Sequence, residues 1–361
     1  MTQTYIRRKH SVTHYDPVQA FNGFTLISPF GTDDAWLIDM KGHFVHHWKM
    51  PGFSCELLQD GHLLGITKEG LVELDWDGNL VWSYKDEKAG KDFCRLENGN
   101  TMYLRHIPVP TGIATKVKGG IAGTEKEGMV VDALREVNPA GKVVWEWLGY
   151  EHLDPETDSI CTVCHRNEWT DGDSCTVLDD GNILVCLSRT HNIYIIKKET
   201  GKIKWRWGVG ELAHPHHASM LENGNILLFD SGLHPYGVMP AGFSRLVEID
   251  PKENKVIWEY RAPAALFFYS TFMGSCQRLA NGGTLITESQ KGRVFEITDS
   301  KEIVWEFVSP FYNDHPLYGH NNILFRAYRY GSEFPGIKGR ILDTSKVEQA
   351  NKTYGPKTFI R

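Results

Sequence analysis

The stretch CTVLDDGNILVCLSRTHNIYIIKKETGKIKWRW, residues 175–207, decides the fold. Asp180-Gly181 stands between two apolar runs, which is the strongest short-range hairpin signal. The segment IYII follows, then a Glu-Thr-Gly turn, then KIKWRW with alternating residues and Trp205. The alternation and the β-branched and aromatic content predict four consecutive antiparallel strands joined by tight turns. The same unit recurs along the chain. Its hairpin half reappears as CELLQDGHLLGI (55–66), CRLENGNTMYL (94–104), ASMLENGNILLF (218–229) and CQRLANGGTLIT (276–287). Its closing half ends on Trp48, Trp82, Trp145, Trp205, Trp258 and Trp305. Four antiparallel strands repeated radially make a β-propeller, and the period counts six blades.

The first copy lacks its opening strand. FNGFTLIS, AWLIDMKG and FVHHWKM supply three strands, and HNNILFRAYRY, from His320 on, is available to supply the fourth. The expectation is therefore an all-β, six-bladed propeller over residues 21–330, closed by the C-terminal strand joining the N-terminal blade. Residues 1–20 read as a polar arm and 331–361 as an extension.

Composition narrows the function classes. The chain has 361 residues, 41% of them hydrophobic, with 11 Trp and 35 Gly and a formal net charge of −6. That is ample for a core, and it gives neither the concentrated basic charge of a nucleic-acid binder nor an apolar run that would span a bilayer. The seven cysteines, an odd number, and a polar N-terminus without an apolar signal core lead us to expect a cytoplasmic protein with reduced thiols. The expected partner is a small-molecule substrate, with no nucleic acid and no membrane; a homodimer is left open.

The short turns all fall on one face of the predicted blades. The long connections, 107–131, 148–172, 231–243 and 261–273, fall on the other, and long loops on a rigid scaffold carry function. The Gly-rich segment 107–131 reads as a lid. Inner strands enter from that face. Counting eight residues back from each hairpin glycine gives Phe53, Lys91, Asp173, His216 and Gly274, with His320 near the start of the closing strand. Second strands end there too, bringing Arg105-His106, Ser188-Arg189 and Asp230-Ser231. Phe53 and Gly274 offer at most an apolar wall. The remaining groups are expected to converge on one mouth and to perturb each other's protonation, as at acid–base sites.

The segments EWTDGDSCTVLDDGNILVCLSRTHNIYIIKKETGKIKWRWG, HPHHASMLENGNILLFDSGLHP and SCQRLANGGTLITESQKGRVFEITDSKEIVWEF resemble the arylsulfate sulfotransferase family. Its members are six-bladed propellers that move a sulfuryl group between phenols through a histidine. The resemblance covers roughly residues 20–330. It implies that His216 accepts the group and that Arg189 follows the second strand of its blade. Asp171 and Asp173 stand where the family has His and Asn, and Gly90 and Lys91 stand at two further His positions. A transferring sulfuryl group carries negative charge and needs donors and cations around it, so two added carboxylates alter the site.

The expected catalytic residues are His216, Arg189, Lys91, Asp171 and Asp173, with Arg105, His106, His217, Asp230 and His320 contacting substrate. The expected function is an enzyme acting on a small, aromatic or phenolic, anionic substrate by group transfer through His216. Proton transfer by His216, Asp173 and Lys91 in a lyase, isomerase or hydrolase is the alternative. A non-catalytic interaction module is a second alternative. An enzyme requires the catalytic groups to lie within about 8 Å of one another, inside hydrogen-bond reach through a water.

No cofactor is expected beyond a divalent metal. Cys161-Thr-Val-Cys164-His165 matches the c-haem attachment pattern, read as a chance match in a chain without an export signal. The same residues form half of a zinc site, completed by Cys175 or Asp171. His214 and His216, with Asp173 across from them, are a second candidate ligand set. Cys55, Cys175 and Cys276 occupy matching inner-strand positions and read as apolar fillers.

Overall fold

A computed structural model of the chain describes residues 10–50, 52–125, 128–234, 242–340, 342 and 344–356. The side chain of Phe53, expected as an apolar wall, and residues 235–241 of one long connection lie outside the described residues. The protein is a six-bladed β-propeller: six four-stranded antiparallel sheets follow one another along the chain, one of them extended by a fifth strand. Two compact units divide it, Met1–Ser83 with Met273–Arg361, and Tyr84–Phe272.

The second unit holds three blades. Their inner strands are Ala89–Arg95, Gly172–Val177 and Pro215–Met220, and each sheet then runs outward through three further strands in chain order. In the first unit, Leu324–Gly331 pairs antiparallel with Gly23–Pro29, so the C-terminal segment supplies the inner strand of the N-terminal blade. Ser11–Tyr15, from the expected polar arm, pairs with Ile303–Val308 as the extra strand. The C-terminal segment Glu348–Tyr354 is helical, and the Asn351 side chain both accepts from and donates to the backbone of Phe44.

The repeat works because its two signature residues do the same job in successive blades. Gly61, Gly99, Gly181, Gly224 and Gly282 all adopt φ between 76° and 86°, a left-handed conformation that glycine reaches without steric cost. Each closes its turn by donating to the carbonyl of a leucine three residues earlier. The indoles of Trp48, Trp145, Trp205 and Trp305 each donate across to the third-to-fourth-strand turn of the next blade, at Asp75, Lys198, Asn254 and Met40. A tryptophan so placed adds apolar area between blades and a hydrogen bond of about 1 kcal/mol. Trp48 and Trp305 are fully buried, while Trp82, Trp145, Trp205 and Trp258 keep part of their rings exposed.

A second bond joins inner strands to one another. Asp92 accepts from the backbone N–H of Cys175 at 2.8 Å, and Asp173 accepts from that of His217 at 2.7 Å. Asp173 thus repeats a scaffold contact one blade further on.

The loop expected as a lid is folded onto its neighbour. Gly119–Ile121 pairs in parallel with Ile160–His165. The nearly buried Arg166 guanidinium donates to the carbonyls of Ala114, Val117 and Gly119 and to Glu125. One arginine thereby satisfies three carbonyls that a structureless loop would leave to water.

Candidate functional site

The site lies in the Tyr84–Phe272 unit, where the segment Arg166–Asp173 meets the inner strands. Lys91, from the strand Ala89–Arg95, forms an ion pair with Asp171. Arg189, just past the strand Ile183–Leu187, donates to the carbonyls of His165 and Glu168 at 2.9 and 3.0 Å. It also pairs with the Glu168 carboxylate at 3.2 Å and approaches Asp171 at 3.9 Å. His216 brings Nε2 to 4.0 Å from Asp173. Lys91, Asp171, Arg189 and Glu168 thus form one linked ion-pair group, and His216 with Asp173 a second close pair.

Backbone strain concentrates here. Of nine described non-glycine residues with positive φ, five are Asp171, His191, His214, His217 and His234, at 47–57°. Such conformations persist only where the surroundings over-determine them, and they cluster at functional sites.

The carboxylates are pushed in opposite directions. Burial raises both, but at Asp171 the charges of Lys91 and Arg189 outweigh it and hold the acid below the ordinary range. At Glu168 burial and the neighbouring Asp171 charge prevail over the same two cations, and its pKa is raised. Burial alone would lower the Lys91 ammonium; Asp171, Glu168 and Asp173 overcome that and raise it. Two adjacent carboxyls driven apart in this way are the pattern of an acid and its conjugate partner.

The imidazole of His216 is fixed. Its Nδ1 lies 2.8 Å from the His214 carbonyl and 3.1 Å from the Ser231 hydroxyl. The carbonyl can only accept, so Nδ1 bears the proton and Nε2 carries the lone pair of the neutral ring.

Other expected residues are placed differently. His106 enters the cluster, with Nε2 3.4 Å from Asp132 and 3.7 Å from Glu168. Arg105, adjacent in the strand, points to the opposite face, as strand alternation demands, and pairs with Asp86 at 2.8 Å. Asp230 is committed to Arg245 at 2.8 Å and to the backbone N–H of Ala213. His320 lies in the other unit. It does not open the closing strand, because residues 313–321 form their own exposed hairpin, in which it pairs with Asp314.

Sequence reasoning missed Glu168, Asp132 and His234. Asp132 is buried and accepts from Thr170 and from the backbone of Gly172. An added Cβ at Gly172 would meet that carboxyl at 2.7 Å, so only glycine admits this approach. Glu168 had a legible signal, standing three residues before Asp171 in EWTD; the others had none.

Among the described residues, two groups of side chains in this unit could hold a metal. His106, Asp132 and Glu168 place their donor atoms within 4.8 Å of one another, and so do Cys161, Cys164, His214 and His234. The expected completion of the CxxC pair is corrected here. His165 is exposed and takes no part; the ladder is irregular between the pairings at Ile160 and His165, so regular alternation does not hold there and Cys161 and Cys164 can face the same histidines. Neither Cys175 nor Asp171 belongs to the group, nor does His216 pair with His214 as a ligand.

Six radial blades, with a strained cluster of acids, bases and imidazoles in the Tyr84–Phe272 unit, define a six-bladed β-propeller. The arylsulfotransferase (ASST) family matches residues 98–310, more than half of the chain, and the chain belongs to that family. No curated protein matches it. A protein of unknown function from Bacteroides caccae, solved by crystallography, shares the fold at TM-score 0.58 and 16% identity, over 85% of this chain and 98% of that one. A streptogramin B lyase structure matches at TM-score 0.49 and 11% identity, over 89% and 93%. Virginiamycin B lyase from Staphylococcus aureus matches at 0.47 and 12%, over 84% of each chain.

Proposed function

We propose that the chain is an enzyme that works by proton transfer on a small aromatic or phenolic substrate, in the class of lyases, isomerases and hydrolases. Charge balance carries this reading. Lys91 and Arg189 are both engaged by carboxylates, and Asp132, Glu168, Asp171 and Asp173 outnumber the two cations. A sulfuryl group in flight needs uncommitted donors, and this cluster repels it. Two acids with opposed pKa shifts beside a tautomer-fixed imidazole suit proton transfer instead. His216 Nε2 takes a proton from a substrate O–H or C–H. Glu168, protonated more readily than an ordinary glutamate, returns one to the departing or rearranging group. The aryl preference rests on family membership.

Group transfer through His216 is the second reading, favoured by the same Nε2 lone pair, which is the atom a nucleophilic histidine would use. One experiment separates the two. The protein is incubated in D2O with a panel of hydroxyaryl compounds, and separately with p-nitrophenyl sulfate and phenol. Proton transfer predicts deuterium incorporation or an elimination product, lost in Glu168→Gln and His216→Asn, with no sulfuryl group passed to phenol. Release of p-nitrophenol with a sulfuryl adduct on His216 overturns it.

A further inference from the structure

We propose that Cys161, Cys164, His214 and His234 bind one zinc ion, which ties three separate segments of the Tyr84–Phe272 unit together beside the acid–base cluster. Cys161 and Cys164 lie in the strand Ile160–His165 of one long connection. His214 directly precedes the inner strand Pro215–Met220, and His234 lies in the connection after Ile226–Asp230.

Three of the donor–donor distances match the edges of a tetrahedral site. Zinc bonds of about 2.3 Å to sulfur and about 2.0–2.1 Å to nitrogen place the two atom types about 3.6 Å apart along a tetrahedral edge. Cys161 Sγ lies 3.5 Å from His234 Nδ1, and Cys164 Sγ lies 3.6 Å from His214 Nε2 and 3.8 Å from His234 Nδ1. All four donor atoms lie within 4.8 Å of one another. Both cysteines are thiols, not a disulfide. Cys161 and His214 are buried, and Cys164 and His234 are partly buried, so an ion here would be largely shielded from bulk water.

The surroundings fit a ligand set as well. His214 turns Nε2 to the thiols while its Nδ1 contacts the Ser188 hydroxyl at 3.2 Å. An outer partner of this kind fixes the tautomer and ring orientation of a metal-bound histidine. Two sulfurs and two imidazole nitrogens in a tetrahedron select zinc over harder cations, which prefer oxygen.

Four protein ligands leave no open position, so the ion's role is to fix the chain. What it fixes is the Cys164–Asp173 segment. Glu168 and Asp171 follow the second cysteine by four and seven residues, and the Arg189 side chain braces the same segment. The reacting carboxyls thus hang from one arm of the metal site.

The full-length protein, purified with a thiol reductant and without chelator, tests this by elemental analysis. The expected result is about one zinc per chain, falling to background in Cys164→Ser and to a small fraction in His234→Ala. His234 lies in a surface connection, so its variant should fold even where the cysteine variants do not. Exchange for cobalt(II) should give the intense visible bands of a tetrahedral sulfur-bound ion. Chelation should expose two extra reactive thiols per chain and lower the melting temperature. Substoichiometric zinc, stoichiometric copper or iron, a Cys161–Cys164 disulfide, or full zinc retention in His234→Ala overturns the proposal.

Discussion

Nδ1 of His216 lies 2.8 Å from the carbonyl oxygen of His214, two residues earlier in the chain. His214 itself holds φ at 57°, a conformation that costs of order 1 kcal/mol or more for a residue with a side chain. The strained backbone of one histidine thereby orients the ring of the other.

Removing that ring removes the Nε2 lone pair. His216→Asn is expected to lower turnover about 10²–10⁴-fold, the usual contribution of a general base. Ser231→Ala leaves the backbone acceptor in place and should cost about tenfold or less. Steady-state rates of solvent deuterium incorporation, measured on both variants at matched fold content, check the difference.

The Lys91–Asp171 pair makes a stability prediction. The two side chains are 28% and 21% exposed, so breaking the pair costs less than for a fully buried one. Lys91→Met alone, or Asp171→Asn alone, should destabilise by about 2–3 kcal/mol. The double variant should recover most of that loss, because no charge is then left without its partner. Denaturant melts of the four proteins give the coupling directly.

Acid sensitivity has two origins with different windows. Burial against Trp76 pushes His46 down from its ordinary value to about 4. The unfolded chain then binds a proton that the folded one refuses, so stability is full above about pH 6.5 and falls toward pH 4, by up to about 3 kcal/mol. Asp171 is also depressed, but its contribution is lost only below the ordinary carboxylate range. Melting temperature against pH should therefore slope between pH 6.5 and 4 in the wild type, and less in His46→Gln.

Arg166 makes a local prediction. Its guanidinium holds Ala114, Val117, Gly119 and Glu125, while Val117, with Ile113 and Ala114, also packs into the core of the blades behind it. Arg166→Ala should free the 111–125 segment for limited proteolysis, with a melting-temperature drop of only a few degrees. Cleavage within the blades at the same protease dose would contradict this.

The blades were legible residue by residue. A turn glycine needs only its own φ, and a strand needs only its alternation, so 175–207 announced four strands and the five Asn-Gly or Asp-Gly turns announced their partners. The strand alternation that built the blades also disposed of Arg105, since its neighbour His106 takes the inward face. Within the repeat, the site was legible where a functional residue sat at a fixed offset, as Lys91, Asp173 and His216 do, while Asp171 was reached through the family resemblance. Glu168 and Asp171 lie in an irregular segment outside any period, and Asp132 sits in a third strand with nothing local to mark it.

The sequence by itself determined the architecture: the six blades, the C-terminal strand that completes the first of them, and the tryptophans that close their outer strands. These are short-range properties of turn chemistry and side-chain alternation, repeated until the chain closes. Only the tertiary structure decided which charges meet. It set Lys91 against Asp171, turned His165 outward, and brought Cys161 and Cys164 to His214 and His234, some 50 to 73 residues away along the chain. Ion pairs and metal sites depend on distances of a few ångströms between segments that share no local pattern. Those distances exist only once the blades have packed.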